Sequence, residues 1–119
     1  MTDRLRAILL ALWPVMIAVV IVFSLLPGSA MPHVPMSDTQ EHLTAYLGLA
    51  LVPAAALKRW WRALAAVAAM ACLGLALEFF QLKVPGRAFE LHDILANCAG
   101  VAVGTLAGWP LRRWIIRPG

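Results

Sequence analysis

The chain has 119 residues, about one small domain, of which 62% are hydrophobic and 13% charged, with a net charge of +4. A soluble domain is about 45–50% apolar, so a water-soluble fold would leave a large apolar surface uncovered. The composition therefore excludes an ordinary soluble domain and points to an integral membrane protein.

Four windows approach the roughly 20 residues needed to cross a bilayer core. Ala7 to Leu26 carries no charge, and Thr39 to Leu57 is apolar after a polar start. Ala63 to Leu82 holds one charge, Glu78, and the fourth window covers about residues 93–111. A helix satisfies its own backbone in lipid, and no stretch alternates polar and apolar as a barrel strand would. The expected fold is all-α: a single transmembrane domain over residues 1–119, built as a four-helix bundle with short loops. The first window has Arg4 and Arg6 before it and Ser29-Ala30 after it, as a signal peptide does. Its apolar run exceeds the roughly 7–15 residues of a signal core, so it is read as a span. Pro14 and Pro53 are expected to kink their helices, which membrane helices tolerate. Cys72 and Cys98 are read as small apolar packing residues.

Charge sets the expected orientation. Arg4 and Arg6 precede the first window, Lys58, Arg59 and Arg62 join the second to the third, and Arg112, Arg113 and Arg117 close the chain. These are eight of the ten basic residues, and four spans put all three segments on one side. By the positive-inside rule that side is cytoplasmic, which gives an N-in/C-in topology. Trp60, Trp61, Trp109 and Trp114 fall on the same side, as an interfacial belt does. Such cations are read as anchors to anionic lipid, with no nucleic-acid partner. Asp38, Glu41, Glu78, Glu90 and Asp93 fall in the outer half, as do His33, His42 and His92. The polar chemistry thus gathers at the extracytoplasmic face.

On ideal helices at roughly 100° per residue, Asp38, His42 and Tyr46 share about 80° of arc on the second helix. Glu78 and Gln81 share a face of the third, with Gly74 a turn below. Asp93, Asn97, Gly100, Gly104 and Gly108 share about 80° on the fourth. The three glycines make two overlapping GxxxG steps, which let another backbone approach closely. If that face packs inward, Asp93 and Asn97 point inward above it. The expected site is a polar pocket at the outer mouth of the bundle, lined by Asp38, His42, Tyr46, Glu78, Gln81, Asp93 and Asn97. Arg87, after the Pro85-Gly86 turn, is placed to fold back over it. Asp93 is also placed to cap the fourth helix. The proline-rich stretch "PGSAMPHVPMSD" reads as a lid or re-entrant segment.

The order Asp38-x-x-x-His42, Tyr46, Glu78-x-x-Gln81, Pro85-Gly86-Arg87, Asp93-x-x-x-Asn97-x-x-Gly100 resembles the VanZ-like family over nearly the whole chain. The resemblance implies a small bacterial membrane protein in a family whose namesake is linked to resistance to teicoplanin, a lipid-tailed glycopeptide acting on cell-wall precursors. It attaches no reaction. Two positions depart from the usual pattern: Thr39 stands where many members have Lys, and Glu90 where a small polar residue is common.

Several readings of the site stay open. Arg87 is a phosphate or carboxylate clamp, or an ion pair with Glu78 or Asp93. Asp38, Glu78 and Asp93 are candidate ligands of a divalent cation, or part of a satisfied network that fixes helix register. His42, with Glu78 and Asp93, is a catalytic candidate as base or proton relay, or a helix-end residue bonded to Asp38. No Ser or Cys nucleophile accompanies the cluster, so an acyl-transfer triad is not expected. The leading functional reading is an outer-leaflet site for the headgroup of a lipid-linked envelope molecule or a lipophilic glycopeptide. Any chemistry there would be metal- or acid/base-assisted attack at a phosphate or glycosyl bond. A small proton-coupled transporter and a scaffold with a purely structural polar cluster are the alternatives. The glycine stripe serves internal packing or a contact between copies of the chain.

Overall fold

The structure, a computed structural model, describes residues 2–27, 29, 37–86 and 90–116, with Thr2 and Asp38 described by their backbone alone. Four helices follow in chain order: α1 Thr2–Leu25, α2 Asp38–Ala56, α3 Trp60–Gln81 and α4 Leu91–Ile115. The helices match the four expected windows but are mostly longer. The apolar run measures only what lies in hydrocarbon, whereas the helix continues through polar ends such as Asp3 to Arg6 and Arg112 to Trp114. Three helices, α1, α3 and α4, are long and apolar enough to cross a membrane. The 19-residue α2 is less so, because its first turn is Asp38-Thr39-Gln40-Glu41.

That polar start forms a helix because Ser37 caps it. The Ser37 hydroxyl accepts from Gln40 N at 3.2 Å, and the Gln40 side chain accepts from Ser37 N at 3.1 Å. This reciprocal box satisfies two backbone donors at once. The connection after α3 turns at Gly86, whose φ of 75° is the left-handed region that favours glycine. The tight turn expected at Pro85-Gly86 is there. The lid expected of the first connection falls almost wholly outside the described residues, as does His33.

The core lies along α2, whose Leu49, Ala50, Ala54, Ala55 and Ala56 are fully buried. Tyr46, Met70 and Val101 complete its main cluster, with Trp13, Met16 and Ile17 of α1 packed against it. The glycine face of α4 meets α2. A Cβ on Gly100 would lie 2.5 Å from Leu43 O, and one on Gly108 2.7 Å from Leu51 O. A Cβ on Gly104 would run into Leu47 O. The partners rise together along both helices, so α2 and α4 are parallel and backbone-close, as GxxxG faces favour. The stripe is an internal contact in the described structure.

Side chains from neighbouring helices supply the backbone partners that α2 lacks. Pro53 has no N–H, so Leu49 O has no donor one turn on. Trp13 Nε1 donates to that oxygen at 2.9 Å. Trp13→Phe keeps most of the packing and removes the donor, so it is expected to destabilise the fold by about 1 kcal/mol. Pro53→Ala restores the missing N–H, and a double-mutant cycle in detergent unfolding should show the two changes coupled. Additive effects would mean that the indole bond contributes nothing.

The cysteines correct the sequence reading. Cys72 and Cys98 are free and exposed, so they lie on the outer surface of the bundle and not in its packing. That surface also carries Leu12, Val15, Leu75, Leu95, Val103 and Leu106, all exposed. A bundle in lipid keeps apolar side chains outside as well as inside.

Candidate functional site

One end of the bundle is basic and the other polar. At the basic end, Arg6 Nε donates to Ala56 O at 2.7 Å and Arg112 donates to Ala54 O, Leu57 O and Lys58 O. These bonds put the start of α1 and the end of α4 beside the end of α2. At the polar end, Gln81 Nε2 donates to Ser24 O at 3.0 Å, which ties the ends of α1 and α3 together. The starts of α2 and α4 lie there too, joined by His42 Nδ1 and Asn97 Oδ1 at 2.7 Å.

The polar cluster grows from these ends. Glu78, Gln81, Asp93 and Asn97 are all buried, at 1%, 3%, 6% and 3% exposure, so these four of the expected lining residues lie inside the protein. His42 is mostly buried, and its Nε2 lies 3.7 Å from Asp93 Oδ2. That separation is too long for a hydrogen bond and short enough for strong electrostatic contact. Glu78 Oε1 accepts from Glu90 N at 3.0 Å. Asp93 Oδ1 is buried and accepts no hydrogen bond, an arrangement rare in folded proteins.

Each remaining expectation has its place. Tyr46 is buried at 2% and packs in the core, where its ring would lie 2.9 Å from a Cβ on Gly74. Gly74 thus makes room for Tyr46 and Asn97, as a packing glycine. Asp93 does not act as the cap of α4. The cap position is Glu90, without a side-chain cap bond, and Asp93 stands in the first turn with its carboxylate turned inward. A carboxylate there is favoured by the positive end of the helix dipole. Arg87 and the side chain of Asp38 lie outside the described residues.

Two residues outside the expected lining join the cluster. Glu90 supplies the backbone bond to Glu78, and its carboxylate lies 2.6 Å from His92 Nε2. His92 is exposed yet engaged, its Nε2 also lying 3.5 Å from Asp93 Oδ1. Their i, i+2 spacing at a helix start gives no periodic signal, so only the fold reveals the group. His42, Glu78 and Asp93 each present a ligand atom within 4.8 Å of the others, and Glu90, His92 and Asp93 do the same.

An open groove of about 180 Å³ leads to this cluster. Val19, Val20 and Phe23 of α1 form its apolar wall, and Glu41, His42 and Tyr46 of α2 form its polar side. It presents hydrocarbon and hydrogen-bonding groups side by side.

No curated protein and no solved structure is a match for the chain. The VanZ/LLP1 family model matches residues 41–113. That span runs from the groove side of α2 through Glu78, Asp93 and Asn97 to the arginines that end α4. On that match, which covers more than half of the sequence, the chain belongs to the VanZ/LLP1 family.

Proposed function

We propose that this protein holds the polar headgroup of an amphipathic envelope molecule in the groove between α1 and α2. The observation that carries the reading is the groove itself, apolar along Val19, Val20 and Phe23 and polar at Glu41 and His42. A lipid-linked cell-wall precursor or a lipid-tailed glycopeptide has that division of chemistry. Teicoplanin-type resistance would follow from capture of such a molecule. Membrane lipids are the surrounding partners.

The same proposal includes the membrane placement. All four helices cross a bacterial inner membrane, with both termini in the cytoplasm. The argument for α2 is its register with α4: Leu43, Leu47 and Leu51 pair with Gly100, Gly104 and Gly108. That pairing supports α2 crossing alongside α4. The basic end carries Arg6, Lys58, Arg59, Arg62, Arg112 and Arg113, which makes it the cytoplasmic end. The groove and its polar cluster then face the extracytoplasmic headgroup layer.

Native mass spectrometry of protein released gently from its own membrane tests the binding, with an Arg87→Ala variant beside it. Arg87 is the arginine of the α3–α4 connection, which also holds Lys83, and would add a forked donor for phosphate. The expected spectrum shows a lipid-linked phosphate or glycan on the parent chain that is lost from the variant. Bare protein in both spectra would overturn the headgroup reading and leave the cluster as a lock on helix register.

A further inference from the structure

A site that is to hold an anionic headgroup carries Glu78, Glu90 and Asp93 against two imidazoles, which by itself repels phosphate. The chemistry of the cluster resolves this. We propose that His42, Glu78 and Asp93 bind one divalent transition-metal ion, best fitted by Zn2+, through His42 Nε2 and one oxygen of each carboxylate. The proposal rests on the headgroup reading for what occupies the metal's remaining position, and on its own geometry for the metal.

Four observations converge. The three donor atoms come from α2, α3 and α4 and lie within 4.8 Å of one another. Ligands at the usual zinc distances of about 2.0–2.2 Å are separated by about 3.4 Å, so small side-chain rotations close the shell. Asp93 is nine-tenths buried, and its Oδ1 has no hydrogen-bond donor. The imidazole nearest that oxygen, His92 at 3.5 Å, is held by Glu90; a buried carboxylate without a hydrogen bond is costly, and a bound cation removes the cost. Glu78 is held by Glu90 N through Oε1, which leaves Oε2 to coordinate.

The fourth observation concerns the imidazole. With Nδ1–H donating to Asn97 Oδ1 at 2.7 Å, His42 points its Nε2 towards Asp93 Oδ2, 3.7 Å away. At 3.7 Å the two atoms are too far apart to hydrogen-bond each other, and an intervening cation would engage both. Metal-binding histidines almost always donate their other ring N–H to an oxygen in this way. Asn97 is therefore a positioning residue for the site. An imidazole in the donor set also separates this site from those of Mg2+ and Ca2+, which take oxygen ligands. Three protein ligands leave a position for water or for a phosphate oxygen, and the ion reverses the local charge that the anion meets. The outer group of Glu90, His92 and Asp93 is less suited, because His92 is exposed and already held by Glu90 at 2.6 Å.

The test uses tag-free, chelator-treated protein in detergent, titrated calorimetrically with Zn2+ and separately with Mg2+. The expected result is one Zn2+ per chain, with Mg2+ at least a hundredfold weaker. Asp93→Asn and His42→Gln should each weaken Zn2+ at least tenfold, and Asn97→Ala about 10–100-fold, the usual effect of losing a group that orients a ligand. His92→Gln should leave binding unchanged. If the ligand variants fail to fold, the parent protein still decides: Zn2+ should raise its unfolding temperature, and Co2+ should give the visible absorption of a four-coordinate nitrogen–oxygen site. No saturable Zn2+ uptake by the parent, uptake undiminished in folded ligand variants, or equal affinity for Mg2+ would overturn the proposal. A short-chain polyprenyl phosphate added with and without Zn2+ separates the two readings. Phosphate binding without metal keeps the headgroup site and removes the metal. Zinc binding with no phosphate binding keeps the metal and removes the headgroup.

Discussion

Gly104→Ala is expected to destabilise the bundle more than any other single-methyl change in the described structure. The added Cβ would fall on Leu47 O and within 3.0 Å of Leu47 C and 3.1 Å of Leu47 Cα. All three are backbone atoms of the central helix, so no side-chain rotation relieves the clash. The helices must separate, and the parallel contact from Gly100 to Gly108 loosens along its length. Overpacking typically costs about 1–3 kcal/mol, and a rigid backbone neighbour places this case at the upper end or beyond. Gly48→Ala is the control: its nearest neighbour is Met16 Cε at 2.9 Å, the flexible end of a long side chain. Reversible unfolding in mixed micelles should show a large loss for Gly104→Ala and a small one for Gly48→Ala. Equal losses would mean that α2 and α4 are not in backbone contact.

Arg112→Leu is expected to cost about 3 kcal/mol, the scale of several charge-assisted hydrogen bonds with their acceptors left unmet. The guanidinium donates to Ala54 O at 2.8 Å, Leu57 O at 2.7 Å and Lys58 O at 2.9 Å. It also stacks on Trp109, 4.6 Å from the ring centroid. These carbonyls end α2, where helical donors run out and the dipole is negative. Arg112→Lys should recover less than half of the loss, because an ammonium has no planar fork for several acceptors and stacks less well. Arg113→Leu, at an exposed neighbouring position, should change stability by under about 0.5 kcal/mol. Detergent unfolding of the three variants reads this order directly. If Arg112 and Arg113 behave alike, Arg112 is an interfacial cation and not a cap.

That role for Arg112 corrects the sequence reading, in which the basic residues flanking the spans on the cytoplasmic side were lipid anchors. Two of them, Arg6 and Arg112, close the end of α2. The error has a physical source. Positive charge beside an apolar run satisfies both roles equally well, and nothing local separates them. The partners of Arg112 lie 54 to 58 residues away in the chain.

Hydropathy and helical period, which are local quantities, were enough for much of the molecule. They gave four helices in the right places, a glycine face on α4, and Glu78, Gln81, Asp93 and Asn97 turned inward. They worked because a costly polar group inside an apolar helix has few tolerable directions, and its spacing from the glycines marks the direction taken. Tertiary structure decided the rest. It made α2 the central helix, brought it parallel to α4, and put Trp13 on the oxygen that Pro53 leaves open. It turned His42 onto Asn97 and Asp93, 55 and 51 positions on, and brought Glu90 beside Glu78. Each of these depends on which surfaces meet, and a helix carries its own face in its sequence but not the identity of the helix that covers it.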